Sequence, residues 1–184
     1  MFLQKGFTVW FTGISGSGKT TLSNLLHRGL QESGTTNVEV LDGEDIKIHL
    51  SKGLGFTKED RDTQIRRIGW VAHLLTKNNI PNLVAAVSPY RGVRDEVRKM
   101  IVHAGGKDSF VEVFVDCSAD VCDKRHLERL TSGSHAKEPE DRTWTHEPYE
   151  RPHNPEVRIK TDTVSPQEGV EMILKYMRQA GLIL

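Results

Sequence analysis

This sequence predicts an α/β fold: a five-stranded parallel sheet with helices on both faces. Three observations carry the prediction. Short apolar or β-branched runs alternate with helical-period segments along the chain, which is the pattern of βαβ units. One run, Leu83-Val84-Ala85-Ala86-Val87, is continuously apolar, as a strand buried on both faces must be. Near the start, Gly13-Ile14-Ser15-Gly16-Ser17-Gly18-Lys19-Thr20 fits the phosphate-binding pattern G-x-x-x-x-G-K-[ST] at every fixed position.

In order, residues 7–12 are apolar and β-branched and read as the first strand. Residues 20–30 place Leu22, Leu25, Leu26 and Leu30 on one helical face. A Ser-Gly-Thr-Thr-Asn loop leads into strand 38–41, which ends at Asp42-Gly43-Glu44-Asp45. Residues 59–78 read as a long helix with Ile65, Ile68, Val71, Ala72 and Leu75 to one side. Strand 83–87 is broken by Ser88-Pro89-Tyr90, and helix 93–103 follows. Strand 110–116, helix 119–130, strand 157–160 and an amphipathic helix 166–181 complete the alternation. Between them, residues 131–155 have no apolar period and are rich in His, Pro, Glu and Gly. There is no internal repeat, and residues 1–184 read as one domain with a lid segment at about 125–155.

Composition excludes several classes. The 25 basic and 25 acidic residues balance, so nothing points to nucleic acid as a partner. Two cysteines, Cys117 and Cys122, are too few for a secreted disulfide scaffold. No leader pattern and no apolar run of membrane length occurs. The expectation is a soluble, cytoplasmic protein with no membrane partner.

The glycine loop carries the chemistry. Its backbone N–H groups can turn inward on phosphate oxygens without a Cβ in the way. The following helix N-terminus adds partial positive charge. Lys19 is placed to reach the β- and γ-phosphates, and the Thr20 hydroxyl to ligate Mg²⁺. In an open parallel sheet, ligands lie beyond the carboxyl ends of the strands. The P-loop, Asp42, Ser88 and Cys117 each follow a strand and so face one crevice. Asp42 there can hold a Mg²⁺ water or accept a proton from an attacking hydroxyl. The segment 52–67 is dense in charge. It reads as a solvated helix start with Thr57 as N-cap and Asp60 in the capping role. It also offers Arg61 and Arg66 to an anionic substrate and Phe56 as a stacking platform for a base.

At these residues the chain resembles the adenylyl-sulfate kinases (APS kinases). The resemblance runs from about Gly6 to Ile183. It rests on Gly-Phe-Thr-Val-Trp at 6–10, the P-loop, Leu41-Asp42-Gly43, residues 50–56, Glu59-Asp60-Arg61-Asp62-Thr63, Ile65-Arg66-Arg67-Ile68, Ser88-Pro89-Tyr90-Arg91 and Val115-Asp116-Cys117 with Val121-Cys122. It implies a three-layer P-loop fold like that of the nucleotide kinases. The implied reaction moves the γ-phosphate of Mg²⁺-ATP to the 3′-hydroxyl of adenosine 5′-phosphosulfate (APS), giving PAPS in sulfate assimilation. A homodimer is implied, with a sulfate adenylyltransferase as pathway partner. The ATP-binding set is then Gly13, Ile14, Ser15, Gly16, Ser17, Gly18, Lys19, Thr20, Thr21 and Arg125. The acceptor-binding set is Asp42, Lys47, Phe56, Arg61, Gln64, Ser88, Pro89, Tyr90 and Trp144. Lys19 and Asp42 are the catalytic pair, and Thr20 and Asp42 the metal-facing oxygens.

The chain also departs from the family pattern. Glu44 stands for Asp, Lys47 for Arg and Gln64 for Asn. Lys47 lacks the planar fork of arginine. In the lid, the family's Arg-Asp-x-Lys-Gly-Leu-Tyr becomes Arg125-His126-Leu127-Glu128-Arg129-Leu130-Thr131, and Trp144-Thr145 takes the place of Phe-Thr before Pro148-Tyr149-Glu150. Arg125, Arg129 and Lys137 can supply the lid's cations from new positions. These changes keep two alternatives open. One is a kinase of the same fold acting on another 5′-capped nucleotide or a small hydroxyl acceptor. The other is a weakly catalytic nucleotide-binding regulatory module. A GTPase switch is disfavoured, since no Asn-Lys-x-Asp motif is present. His126, His135, His146 and His153 match no metal-ligand spacing and read as solvated. Cys117 and Cys122 read as buried apolar thiols, and Trp10 and Trp70 as core.

Overall fold

The computed structural model describes residues 5–42, 46–131 and 148–184. The strands are β1 (Thr8–Thr12), β2 (Glu39–Asp42), β3 (Asn82–Ala85), β4 (Phe110–Asp116) and β5 (Val157–Lys160). They form one five-stranded sheet, parallel throughout, in the order β2-β3-β1-β4-β5. The helices are α1 (Lys19–Glu32), α2 (Lys58–Lys77), α3 (Arg91–Gly105), α4 (Ala119–Thr131) and α5 (Pro166–Gln179), with a π-helical turn at Ile46–Leu50.

Strand periodicity sorts the two cores. On β1, Val9 and Phe11 join Leu22, Leu26 and Leu30 of α1 and Val170, Ile173, Leu174 and Met177 of α5. Trp10 points the other way and packs with Ile65, Ile68 and Ala72 of α2 and Val93, Val97 and Ile101 of α3. The alternation is the period of two expected of a pleated strand. Both faces of the central strands are therefore covered, which is why Leu83-Val84-Ala85 carries no polar residue. The helix starts are capped as their sequences suggest. Thr57 Oγ1 accepts from Asp60 N at 3.1 Å, and Ser165 with Glu168 forms a reciprocal capping box ahead of α5.

Two expectations need correction. Trp70 is 54% exposed and stacks on His73 with ring centroids 5.1 Å apart. It lies two residues from Ile68, about 200° around the helix, and so faces away from the core. The third strand ends at Ala85 rather than Val87, because the chain then turns to place Ser88 at φ +43°. Among the described residues no helix is long and apolar enough to cross a membrane.

Candidate active site

The parallel sheet sends the carboxyl ends of all five strands to one edge, and the P-loop leaves the central strand there. Gly16 has φ +78°, and a Cβ on it would meet the carbonyl oxygen of Cys122 at 3.0 Å. Gly18 caps α1 at φ +104° with no side-chain cap bond, and α1 has no acidic residue in its first turn. The helix thus presents its first N–H groups and positive end to whatever occupies the loop. Lys19 folds across this loop and donates to the carbonyl oxygens of Gly13 (3.0 Å) and Ile14 (2.9 Å). Thr20 and Thr21 are exposed beside it.

A cleft of about 690 Å³ opens from the P-loop toward the β4–β5 side of the sheet. Residues 15–22 form one wall, Arg125 and Glu128 of α4 another, and Thr161, Val164 and Pro166 after β5 the third. Arg125 is held on this side. Its guanidinium donates to Thr161 O (2.6 Å), Thr161 Oγ1 (3.2 Å) and Ser17 O (3.4 Å). Thr161 Oγ1 in turn donates to Ser17 O at 2.9 Å, so the end of β5 is fastened to the loop. The fifth strand end was a signal that sequence reasoning passed over: by the same edge rule, Thr161 belongs to the crevice.

The predicted acceptor residues lie on the other flank of the P-loop. Asp42 ends β2, half-buried, in register with Ala85 at the end of β3. Phe56 is 71% exposed just before α2, and the Arg61 guanidinium sits 5.1 Å from its ring centroid. Gln64 Nε2 donates to Ser51 Oγ at 2.7 Å, and Ser51 Oγ donates to Ile46 O, so Gln64 braces the π-helical turn. Tyr90 is half-buried, with the Lys58 ammonium 4.7 Å from its ring centroid. Lys58 also pairs with Asp62 at 2.6 Å. Arg66 is not part of this group. It pairs with Glu96 of α3 on an exposed face, with Nε to Oε2 at 2.8 Å. Gly43, Glu44, the Lys47 side chain, Lys137, Trp144 and the other residues of 132–147 lie outside the described residues, as does the Arg129 side chain.

Ser88 and Pro89 do their work from inside. Ser88 is 1% exposed. Its hydroxyl accepts from Trp10 Nε1 (3.1 Å) and donates to Thr12 Oγ1 (2.9 Å). Its carbonyl accepts from Arg94 at 2.5 Å. Arg94 is a hub that the sequence did not announce. It is 2% exposed, pairs with Glu112 of β4 at 3.0 Å, and donates to Glu150 O at 2.6 Å. Glu112 also takes Arg98, which reaches Glu156 at 2.7 Å. Glu150 N donates to Pro89 O, and the Glu150 carboxylate accepts from Arg91 N, each at 2.8 Å. Beside it, the Tyr149 and Thr12 hydroxyls lie 2.9 Å apart. Burial pushes the Tyr149 phenol up to about 12. These bonds lock residues 149–150, the β3–α3 loop and the last residue of β1 together.

The two thiols are structural. Cys117 and Cys122 are free and buried. Burial raises both, Cys122 to about 12, so neither is a nucleophile at neutral pH.

Comparison with known proteins identifies the family and the fold. The family model described as adenylylsulphate kinase matches residues 5–160. An adenylyl-sulfate kinase of Rippkaea orientalis is 46% identical over 180 residues, spanning 98% of this chain and 96% of that one. The structure of the Mycobacterium tuberculosis APS kinase CysC in complex with AMPPNP and APS superposes with a TM-score of 0.78 at 35% identity, covering 95% of this chain and 98% of that chain. A hexameric APS kinase from Thiobacillus denitrificans gives a TM-score of 0.75 at 37% identity over 99% of this chain, which spans 30% of that longer one.

Proposed function

The chain belongs to the adenylylsulphate kinase family, and from that membership we infer the reaction of its crevice: transfer of the γ-phosphoryl group of ATP to the 3′-hydroxyl of APS. The observation that carries the inference is the division of the site by the P-loop. A nucleotide-sized cleft lies on the β4–β5 side. A carboxylate, an exposed aromatic ring and a guanidinium lie on the β2–β3 side. A phosphoryl group held on the loop between them faces both.

In this reading the P-loop amides and the α1 N-terminus take the ATP phosphates. Lys19 exchanges the Gly13 and Ile14 carbonyls for the transferring group and spreads charge over it. Asp42 orients the 3′-hydroxyl and accepts its proton as the new O–P bond forms and the bond to the β-phosphate oxygen breaks, releasing ADP. Phe56 stacks on the acceptor base, Arg61 faces its phosphosulfate, and the Ser88–Tyr90 loop, set by Arg94, walls the pocket. Trp144 and Lys47 complete the acceptor side. The exposed Thr20 hydroxyl at the α1 N-terminus and the Asp42 carboxylate are hard oxygen donors of the kind Mg²⁺ prefers, and they would hold it. When bound it neutralises charge on the β- and γ-phosphates. A cytoplasmic setting, self-association into a homodimer and supply of APS by an adenylyltransferase belong to the same proposal.

The test is ADP release by purified protein with ATP and Mg²⁺, with and without APS. Release that APS stimulates, with PAPS formed in equal amount, supports the reading. No stimulation by APS alongside stimulation by another 5′-capped nucleotide refutes the acceptor assignment. No stimulation by any acceptor refutes the transferase reading.

A further inference from the structure

The ATP-side cleft has an acidic end. Helix α4 starts against the P-loop, where Cys122 touches Gly16 closely enough that a Cβ there would lie 3.2 Å from the Cys122 Cβ. Arg125, one turn on, and Glu128, two turns on, both line the cleft. At 1.5 Å per residue, Glu128 stands about 9 Å along the axis from Cys122. Val164 and Pro166, after β5, also line the cleft.

Phosphate groups belong at the loop, where Lys19 and the helix amides gather. A carboxylate next to a polyphosphate would repel it. Beyond the loop residues, the cleft lining combines two apolar side chains, Val164 and Pro166, with one group that, when ionised, only accepts hydrogen bonds. An apolar wall with a few fixed polar groups is what a nucleoside needs. We propose that Glu128 is a specificity-determining residue of the donor site: its carboxylate accepts a hydrogen bond from the nucleoside half of the phosphate donor. The partner is a ribose hydroxyl or an exocyclic amino group of the base. The inference rests on the reading of this cleft as the ATP site.

Equilibrium binding without acceptor tests it. The ligands are ATP, 2′-deoxy-ATP, 3′-deoxy-ATP and inosine triphosphate, each with Mg²⁺, and the proteins are wild type, Glu128→Gln and Glu128→Ala. Wild type should bind at least one analogue about tenfold more weakly than ATP, the usual effect of losing a charge-assisted hydrogen bond. Which analogue fails tells ribose from base. In Glu128→Ala that discrimination should shrink to about twofold or less, with Glu128→Gln between the two. Unchanged discrimination in Glu128→Ala overturns the inference and leaves the kinase reading standing. So does equal tightening of all four nucleotides, which would mean that the charge acts only by repelling phosphates. Wild-type protein that does not bind ATP overturns both readings.

Discussion

Replacing Arg94 by methionine tests how firmly the acceptor loop is set. The substitution keeps an unbranched stem of similar length and deletes the charge and five donors. Three groups then lose a partner: the Ser88 carbonyl (2.5 Å), the Glu150 carbonyl (2.6 Å) and the Glu112 carboxylate (3.0 Å). Ser88 and Glu112 are almost fully buried, so water cannot step in. The Ser88 carbonyl keeps only the Thr12 hydroxyl at 3.5 Å, and loss of its main donor costs about 1–3 kcal/mol, whereas Glu150 is exposed and its carbonyl can turn to water. Glu112 fares better, because Arg98 still reaches it at 3.1 Å. Breaking one side of a buried pair costs about 3–5 kcal/mol in total. Total stability is about 5–15 kcal/mol, so the variant should fold with a Tm lower by about 6–20 °C. Ser88 is also held at a positive φ of 43°, a strained state for a non-glycine residue that persists only while its neighbours impose it. With the clamp gone, the Ser88–Tyr90 loop relaxes, and KM for the acceptor should rise while KM for ATP changes little. Thermal unfolding and two-substrate kinetics read both effects. The double variant Arg94→Met, Glu112→Leu should recover part of the lost stability, because an apolar pair replaces an ion pair at lower cost than half a pair. A loss below about 1 kcal/mol in the single variant, well under the usual cost of breaking a buried pair, would refute the hub.

Three further outcomes are expected. Lys19→Ala should lower kcat at least about a hundredfold with the fold intact, since its task is electrostatic stabilisation of the transferring group; near wild-type turnover would sink the P-loop assignment. Asp42→Asn keeps size and hydrogen bonding, so ATP binding should persist while turnover collapses, and full activity would mean that another group takes the 3′-hydroxyl proton. Burial pushes Cys122 and Tyr149 up to about 12, from ordinary values of 9.0 and 10.0. The folded state therefore holds these protons more tightly than the unfolded chain. Their contribution is fully present below about pH 9 and is lost as pH rises toward 12. The unfolding midpoint should fall across that window, and less so in Cys122→Ala, Tyr149→Phe; equal pH dependence in both proteins would count against the assignment.

The parts of the fold that one segment determines alone were legible in the sequence. The P-loop, its strand and its helix are contiguous, and the motif fixes all three. Thr57 and Asp60 sit three residues apart, so their cap could be read directly. Strand bounds erred where tertiary packing decides, as at residues 86–88. Trp70, a large apolar side chain, reads as core by its type, whereas its angular position on α2 makes it surface. Arg66 and Arg61 look alike in a charged run. Only α3, docked alongside, decides that Arg66 meets Glu96 and leaves Arg61 by Phe56.

What the sequence could not reveal is the cross-chain wiring of the crevice. Arg94, Glu112 and Glu150 are separated by 18 and 38 further positions in the numbering, and each alone reads as a solvated charge. Their meeting requires β4 to lie beside β1, with residues 148–150 returning over the end of β3. That meeting changes what Ser88 is for. As a strand-end hydroxyl it looks like a ligand to substrate. In the structure its hydroxyl ties Trp10 to Thr12 and its carbonyl is clamped by Arg94. The same Thr12 hydroxyl meets Tyr149. Thr12 just before the P-loop, the Ser88–Tyr90 loop and residues 149–150 therefore share one set of hydrogen bonds. A shift in any of them is felt by the other two, so under the proposed reaction donor and acceptor geometry are set together.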